Sequence, residues 1–174
     1  AQRGTELTSR LDRFARPVRA CDGPTDTNAV LAEFRRRVAY SLPPEISFEM
    51  AAPPALHRVD IPGAALVAAL DELVANALAA LDGRGTLRIA ARNEIAPGDR
   101  PRLVIAIEDD AGGMDGDTLR RVRGVRFTAG VAGHKTAIGV ALAVRAVLAG
   151  GGQLIVVSLP RQGTRVTIDL PGRT

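Results

Sequence analysis

The stretch IEDDAGGMD, Ile107 to Asp115, follows directly on an apolar run from Leu103 to Ile107. The run reads as a buried strand that ends in a cluster of acids and two glycines. A strand that closes on Asp and small residues opens its backbone to close approach. Asp109, at the strand's end, is placed to act as a rigid hydrogen-bond acceptor, and Gly112 and Gly113 remove side chains that would crowd it. A carboxylate held at a pocket rim suits a ligand that offers an amino group, such as the exocyclic amine of adenine. An acidic turn after a core strand would carry the same residues, so the neighbouring stretches have to decide.

Working outward, Thr86 to Arg92 reads as a strand and Pro97-Gly98-Asp99 as a turn, which makes an antiparallel hairpin with the strand ending at Asp109. Upstream, Val30, Leu31, Phe34 and Val38 form the apolar face of a helix that is capped at Asp26 or Thr27 and stopped by Pro43-Pro44. Ile46 to Met50 alternates like a half-buried strand, and Ala55 to Val59 is expected to pair with it. A long helix over about Ile61 to Leu81 is rich in Ala and Leu, with Val67, Leu70, Val74, Leu78 and Leu81 as its expected core stripe. Beyond Met114 come a short helix (about Asp115 to Val122), an aperiodic loop (Arg123 to Thr136) and a helix from about Ala137 to Leu148. Two strands close the chain, Gln153 to Leu159 and Thr164 to Leu170, joined by a PRQG turn. This order lacks the strict alternation of a doubly wound sheet. It implies an α/β (α+β) two-layer sandwich: a mixed, mostly antiparallel sheet covered by about three helices on one face. Thr5 to Arg16, with Leu7, Leu11 and Phe14 at helical spacing, reads as a separate helix stopped by Pro17. The expected organisation is therefore an appendage and linker, 1–22, and one domain, 23–174.

The 174 residues, 46% hydrophobic, suffice for one well-buried domain. No apolar run approaches the ~20 residues that span a bilayer, and no signal-peptide pattern opens the chain. Cys21 is alone, which excludes an internal disulfide and fits a reducing compartment. Ala1 in place of Met is read as a processed or excised start, which leaves room for a membrane anchor upstream. The net charge of +4 raises a nucleic-acid hypothesis. Against it, the arginines are scattered, and Tyr40 with four Phe offer few base-stacking platforms. Lys135 is the only Lys among 23 basic residues, and it sits in a glycine-containing loop where a flexible ammonium can matter.

Two further motifs carry chemistry. Glu72 and Asn76 lie one helical turn apart, on a face otherwise made of Ala68, Ala75, Ala79 and Ala80. An amide oxygen is a hard donor fit for Mg²⁺, and a neighbouring carboxylate can take a proton or orient a nucleophile. Gly130, Gly133, Lys135 and Gly139 precede a helix whose free N–H groups would seat phosphate oxygens. The Arg123–Thr136 stretch, with Arg123, Arg126 and Lys135, has the character of a lid.

In chain order, a helical E-x-x-x-N, a strand ending D-x-A-G-G-M, a glycine-containing loop opening a helix and a GG-strand-GT-strand finish resemble a known family. It is the catalytic ATP-binding domain of bacterial sensor histidine kinases, of the Bergerat fold shared with type II topoisomerases and heat-shock chaperones. Glu72 and Asn76 fall on its N box, Asp109 to Gly113 on its G1 box, Phe127 on its F box and Lys135 to Val140 on its G2 box. Leu11 to Pro17 is similar to the end of the family's second dimerisation helix. The resemblance implies that Asn76 coordinates Mg²⁺ and Glu72 serves as acid/base or orients the nucleophile. It implies that Asp109 binds the adenine amine with Thr164 assisting, that Gly113 gives room for the base, and that Lys135, Ala137 and Gly139 face the phosphates. The implied partners are ATP, a phosphoacceptor dimerisation domain and a response regulator, with no nucleic acid and no membrane contact by this domain. The implied setting is cytoplasmic, with or without an inner-membrane anchor on the parent.

The sequence departs from the family at several points. Lys135 and Ala137 stand where the G2 box usually has glycine, Ala111 replaces the first G1 glycine, and Ala79 and Ala80 occupy the turn where a basic residue often follows the Asn. His57 and His134 match no phosphoacceptor motif. Two other readings stay open: a degenerate nucleotide-sensing or docking module, and a stand-alone Ser kinase of the anti-sigma-factor type.

Overall fold

A computed structural model of the protein describes residues 23–124 and 143–174. The appendage at 1–22, Phe127, His134, Lys135, Ala137, Gly139 and most of the lid stretch lie outside the described residues. Helix α1, Thr27–Ser41, starts where Asp26 Oδ1 accepts from the Ala29 N–H at 3.1 Å, spending one of the orphan donors of its first turn. Thr27, Leu31, Phe34 and Val38 are its buried residues; Val30, also expected on that face, is half-buried against the core. Strand β1 (Ile46–Ala51), strand β2 (Arg58–Val59), helix α2 (Gly63–Leu81), the hairpin β3 (Gly85–Ala96) and β4 (Arg100–Asp109), helix α3 (Gly116–Gly124), a helical segment at 143–149, and strands β5 (Gln153–Ser158) and β6 (Thr164–Arg173) follow.

The sheet runs β1-β3-β4-β6-β2, with β5 also paired to β6. Only the β1–β3 pairing is parallel; the others are antiparallel. The expectation that Ala55–Val59 pairs with β1 is overturned, because β2 pairs with the end of β6, Val59 opposite Gly172. The reason lies in the connection. Pro53 and Pro54 cannot donate to a ladder, and two asparagines hold the segment in an irregular path. Asn28 donates to Pro53 O at 2.9 Å and accepts from Leu56 N at 2.8 Å. Asn93 accepts from His57 N and donates to Ala55 O, both at 2.8 Å.

Register separates the two faces of the sheet. Leu103, Ile105 and Ile107 share one cluster with Leu87, Ile89, Ile168 and Leu170, and with buried residues of α1, α2 and the 143–149 helix. Three helices thus cover one face. The opposite face carries charge pairs across neighbouring strands, Glu49–Arg88 at 3.0 Å and Glu108–Arg165 at 2.9 Å, with Arg88 opposite Glu108 in the ladder.

Helix α2 packs through Leu66, Ala69, Leu70, Leu73, Val74, Ala77 and Leu81. The expected stripe is therefore rotated slightly: Val67 and Leu78 are only half-buried, because a helix between α1 and a sheet buries a wider arc than a single stripe. At 19 residues and mean hydropathy 1.7, α2 is also long and apolar enough for a membrane crossing, contrary to the expectation from the sequence. In this fold it is the central core helix.

Candidate functional site

Three turns meet at the end of β4. Asp109 closes that strand on the helix-covered face, opposite Leu87 on β3 and Thr164 on β6. Its carboxylate accepts from the Ala111 N–H at 3.1 Å. Burial raises the Asp109 carboxyl above its ordinary range; backbone hydrogen bonds from Ala111 and Thr164 oppose that rise, and the neighbouring Asp110 charge adds to it. The group is an acceptor kept short of water, so a donor arriving on a ligand would stabilise its charged form.

Asp110 does the opposite. Its Oδ1 accepts from the Thr86 N–H at 2.7 Å, and Thr86's backbone and side-chain hydrogen bonds hold its carboxyl below the ordinary range. This ties the turn after β4 to the start of β3. Gly85 makes room for it: a Cβ there would lie 2.6 Å from Asp110 Oδ1 and 2.5 Å from Leu81 Cδ2. The sequence assigns an acceptor role to Asp109 and none to Asp110; in the structure Asp110 anchors the turn to β3, and Asp109 lies on the helix-covered face.

Gly113, at φ +67°, presses against the β5–β6 turn, where a Cβ would lie 2.0 Å from Leu159 O. Gly163, at φ +77°, presses the same turn onto β4, 1.9 Å from Asp109 O by the same measure. The glycine at 113 thus answers to backbone packing first. Gly112 is the open position, with nothing within 4 Å of its would-be Cβ. Arg161 N–H donates to Gly112 O at 2.7 Å and Met114 N–H to Ser158 Oγ at 2.8 Å, which locks the two turns together. Ser158 was missed from the sequence. Its signal was parity: it follows Leu154 and Val156 on the inward positions of β5, where an apolar residue is expected.

Glu72 and Asn76 sit half-buried on α2, one turn apart. That helix starts beside Thr25 and Val30 at Gly63 and ends with Leu81 against Gly85 and Asp110. Asn76 is therefore about 7.5 Å of helical rise short of the Asp110 end. Its Nδ2 is buried with no hydrogen-bond partner among the described residues. A side-chain amide offers both an oxygen acceptor and N–H donors, so its chemistry suits a cation or a phosphate. No group of three or more His, Cys, Asp or Glu able to hold a metal occurs among the described residues; Mg²⁺ bound largely by phosphates and water needs only one or two protein donors. Asp109, Gly113 and Thr164 are thus brought together directly, and Glu72 and Asn76 lie on the covering helix toward the same end. None of these lines a groove of about 740 Å³ formed by Leu31, Arg35, Met50, Pro53 and Ala91, whose Asn28 amide is already spent on the β1–β2 connection.

Comparison with known proteins gives the family. Residues 63–174 match the histidine kinase-, DNA gyrase B-, and HSP90-like ATPase family. The solved structure of the mycobacterial sensor histidine kinase MprB is 26% identical, with 87% of this chain and 97% of that one covered and a TM-score of 0.66. The ATP-binding domain of PrrB from Mycobacterium tuberculosis shares the fold at 24% identity, with 87% and 98% covered and a TM-score of 0.63. Full-length ShkA in complex with AMPPNP does so at 20% identity, with 99% and 37% covered and a TM-score of 0.68. No curated protein matches the chain in sequence. The chain belongs to the histidine kinase-, DNA gyrase B-, and HSP90-like ATPase family, and its likeness within that family is to the catalytic ATP-binding domains of sensor histidine kinases.

Proposed function

We propose that residues 23–174 bind Mg-ATP and transfer its γ-phosphoryl group to a His on a dimerisation domain, to which residues 1–22 lead, for delivery to a response regulator. One observation carries the reading: a half-buried carboxylate, Asp109, stands beside Thr164 on the helix-covered face, toward the end of α2 that bears Asn76, whose buried Nδ2 has no partner among the described residues. ShkA, which shares the fold, is solved in complex with AMPPNP, and this supports a nucleotide as the ligand here.

In this reading Asp109 accepts from the adenine amine, Thr164 assists it, and Gly113 keeps the turn close. Asn76 would hold Mg²⁺, and Glu72 would orient the acceptor or take its proton. Lys135, Ala137 and Gly139 would face the phosphates. When bound, Mg²⁺ neutralises the phosphate charge that repels a nucleophile. The protein's own part is positioning and fixed charge, which is most of what phosphoryl transfer asks of a protein.

The test joins this chain to its phosphoacceptor helix and follows transfer from labelled ATP. Asn76→Ala should abolish transfer, and undiminished transfer would defeat the role given to Asn76. Calorimetry with a non-hydrolysable ATP analogue, with and without Mg²⁺, separates the degenerate-module reading, which expects no binding at millimolar ligand.

A further inference from the structure

Ser158 and Thr27 are the polar side chains that are fully buried among the described residues. The Ser158 hydroxyl has three neighbours at hydrogen-bond distance: Gly163 O at 2.9 Å, Thr164 Oγ1 at 2.9 Å and Met114 N at 2.8 Å. A hydroxyl offers one hydrogen and two lone pairs. The Gly163 carbonyl can only accept, so the Ser158 hydrogen goes there. The Met114 N–H can only donate, so it takes one lone pair. What remains for Thr164 is the second lone pair, and the Thr164 hydrogen must therefore point at Ser158.

Thr164 is left with lone pairs alone for anything else it meets. Asp109, opposite it in the ladder, is likewise acceptor-only when ionised. We propose that Ser158 is a positioning residue that sets base specificity: it fixes Thr164 as an acceptor, so that Thr164 and Asp109 together demand a donor edge on the ligand. The proposal rests on the nucleotide reading above. An exocyclic amine supplies that edge with two N–H groups, whereas a carbonyl at the same ring position sets lone pairs against lone pairs. A bridging water changes nothing in this logic. If it donates its hydrogens to Asp109 and Thr164, it also turns lone pairs to the ligand.

Competitive displacement of a fluorescent ATP analogue from the 174-residue chain tests this, with ATP and GTP as competitors. The proteins compared are wild type, Ser158→Ala, Thr164→Val and the double variant. Ser158→Ala frees the Thr164 hydrogen to turn outward, so the preference for ATP over GTP should narrow by about tenfold, the worth of one hydrogen bond. Thr164→Val should narrow it as well, and the double variant should narrow it no further than Thr164→Val alone. Equal weakening of ATP and GTP in Ser158→Ala, or multiplicative effects in the double variant, would reduce Ser158 to a packing role and overturn the assignment. Should circular dichroism show Ser158→Ala unfolded, Ser158→Cys keeps the shape with a weaker donor. An intermediate preference then supports the assignment, and a wild-type preference overturns it. A wild-type chain that binds neither nucleotide, or both equally, sinks the nucleotide reading itself, a pattern distinct from the loss of Ser158's role alone.

Discussion

Asp109 and Asp110 are adjacent, yet the first is raised by burial and the second lowered by Thr86. The folded Asp109 pKa lies above its unfolded value, so between the two the unfolded chain binds fewer protons than the native one. Stability therefore falls as pH rises from the ordinary carboxylate range through the folded value. Asp109→Asn removes that loss. The variant should melt at a higher temperature than wild type at about pH 7, with the difference shrinking toward zero near pH ~3, below the ordinary carboxylate range. It should also lose ATP. A pH-independent difference in melting temperature would refute the burial account. Such an exchange of stability for function is what a ligand-facing carboxylate predicts. The acidic turn and Asp109 as its acceptor were legible in the sequence, but the anchoring of Asp110 to Thr86 was not. Periodicity reports which face a residue takes, and it does not report which backbone N–H the residue will meet.

At the scale of the element, α2 does two jobs on two arcs. Its inner arc includes Leu70, which is fully buried in the core. Leu70→Ala should cost about 2–5 kcal/mol in urea unfolding. The edge that bears Asn76 works against stability, since a buried amide nitrogen is left without a partner among the described residues. Asn76→Leu should therefore raise stability by about 1–3 kcal/mol while removing the Mg²⁺ dependence of nucleotide binding. A destabilised Asn76→Leu would mean that the amide has a partner in solution. The helices and the β3–β4 hairpin could be read from caps, stops and turn residues that lie within a few positions of each other. The pairing of Arg58–Val59 could not, because the Asn28 and Asn93 side chains that steer the preceding segment come from 25 to 38 residues away.

For the whole molecule, the candidate site joins the end of β4, the start of β6 and the turn between β5 and β6 beneath the C-terminal half of α2. A ligand that binds there only in the folded state stabilises all of them at once. At a concentration one hundred times its dissociation constant, ATP should add about 2.7 kcal/mol, or roughly 5–10 °C in melting temperature for a chain of this size. Differential scanning fluorimetry reads this directly, and Asp109→Asn should show no shift. Among the described residues, the sequence by itself determined most of the elements, much of their inward faces and the order of the site motifs. Side-chain periodicity and turn chemistry act over a few residues and need no partner. Only the tertiary structure decided that β1 runs parallel to β3, that Asp110 anchors to Thr86 while Asp109 is left to the site, and that Ser158 sets the direction of the Thr164 hydrogen. Those outcomes rest on contacts such as Thr86–Asp110 and Met114–Ser158, 24 and 44 residues apart, which exist only once the sheet has closed around them.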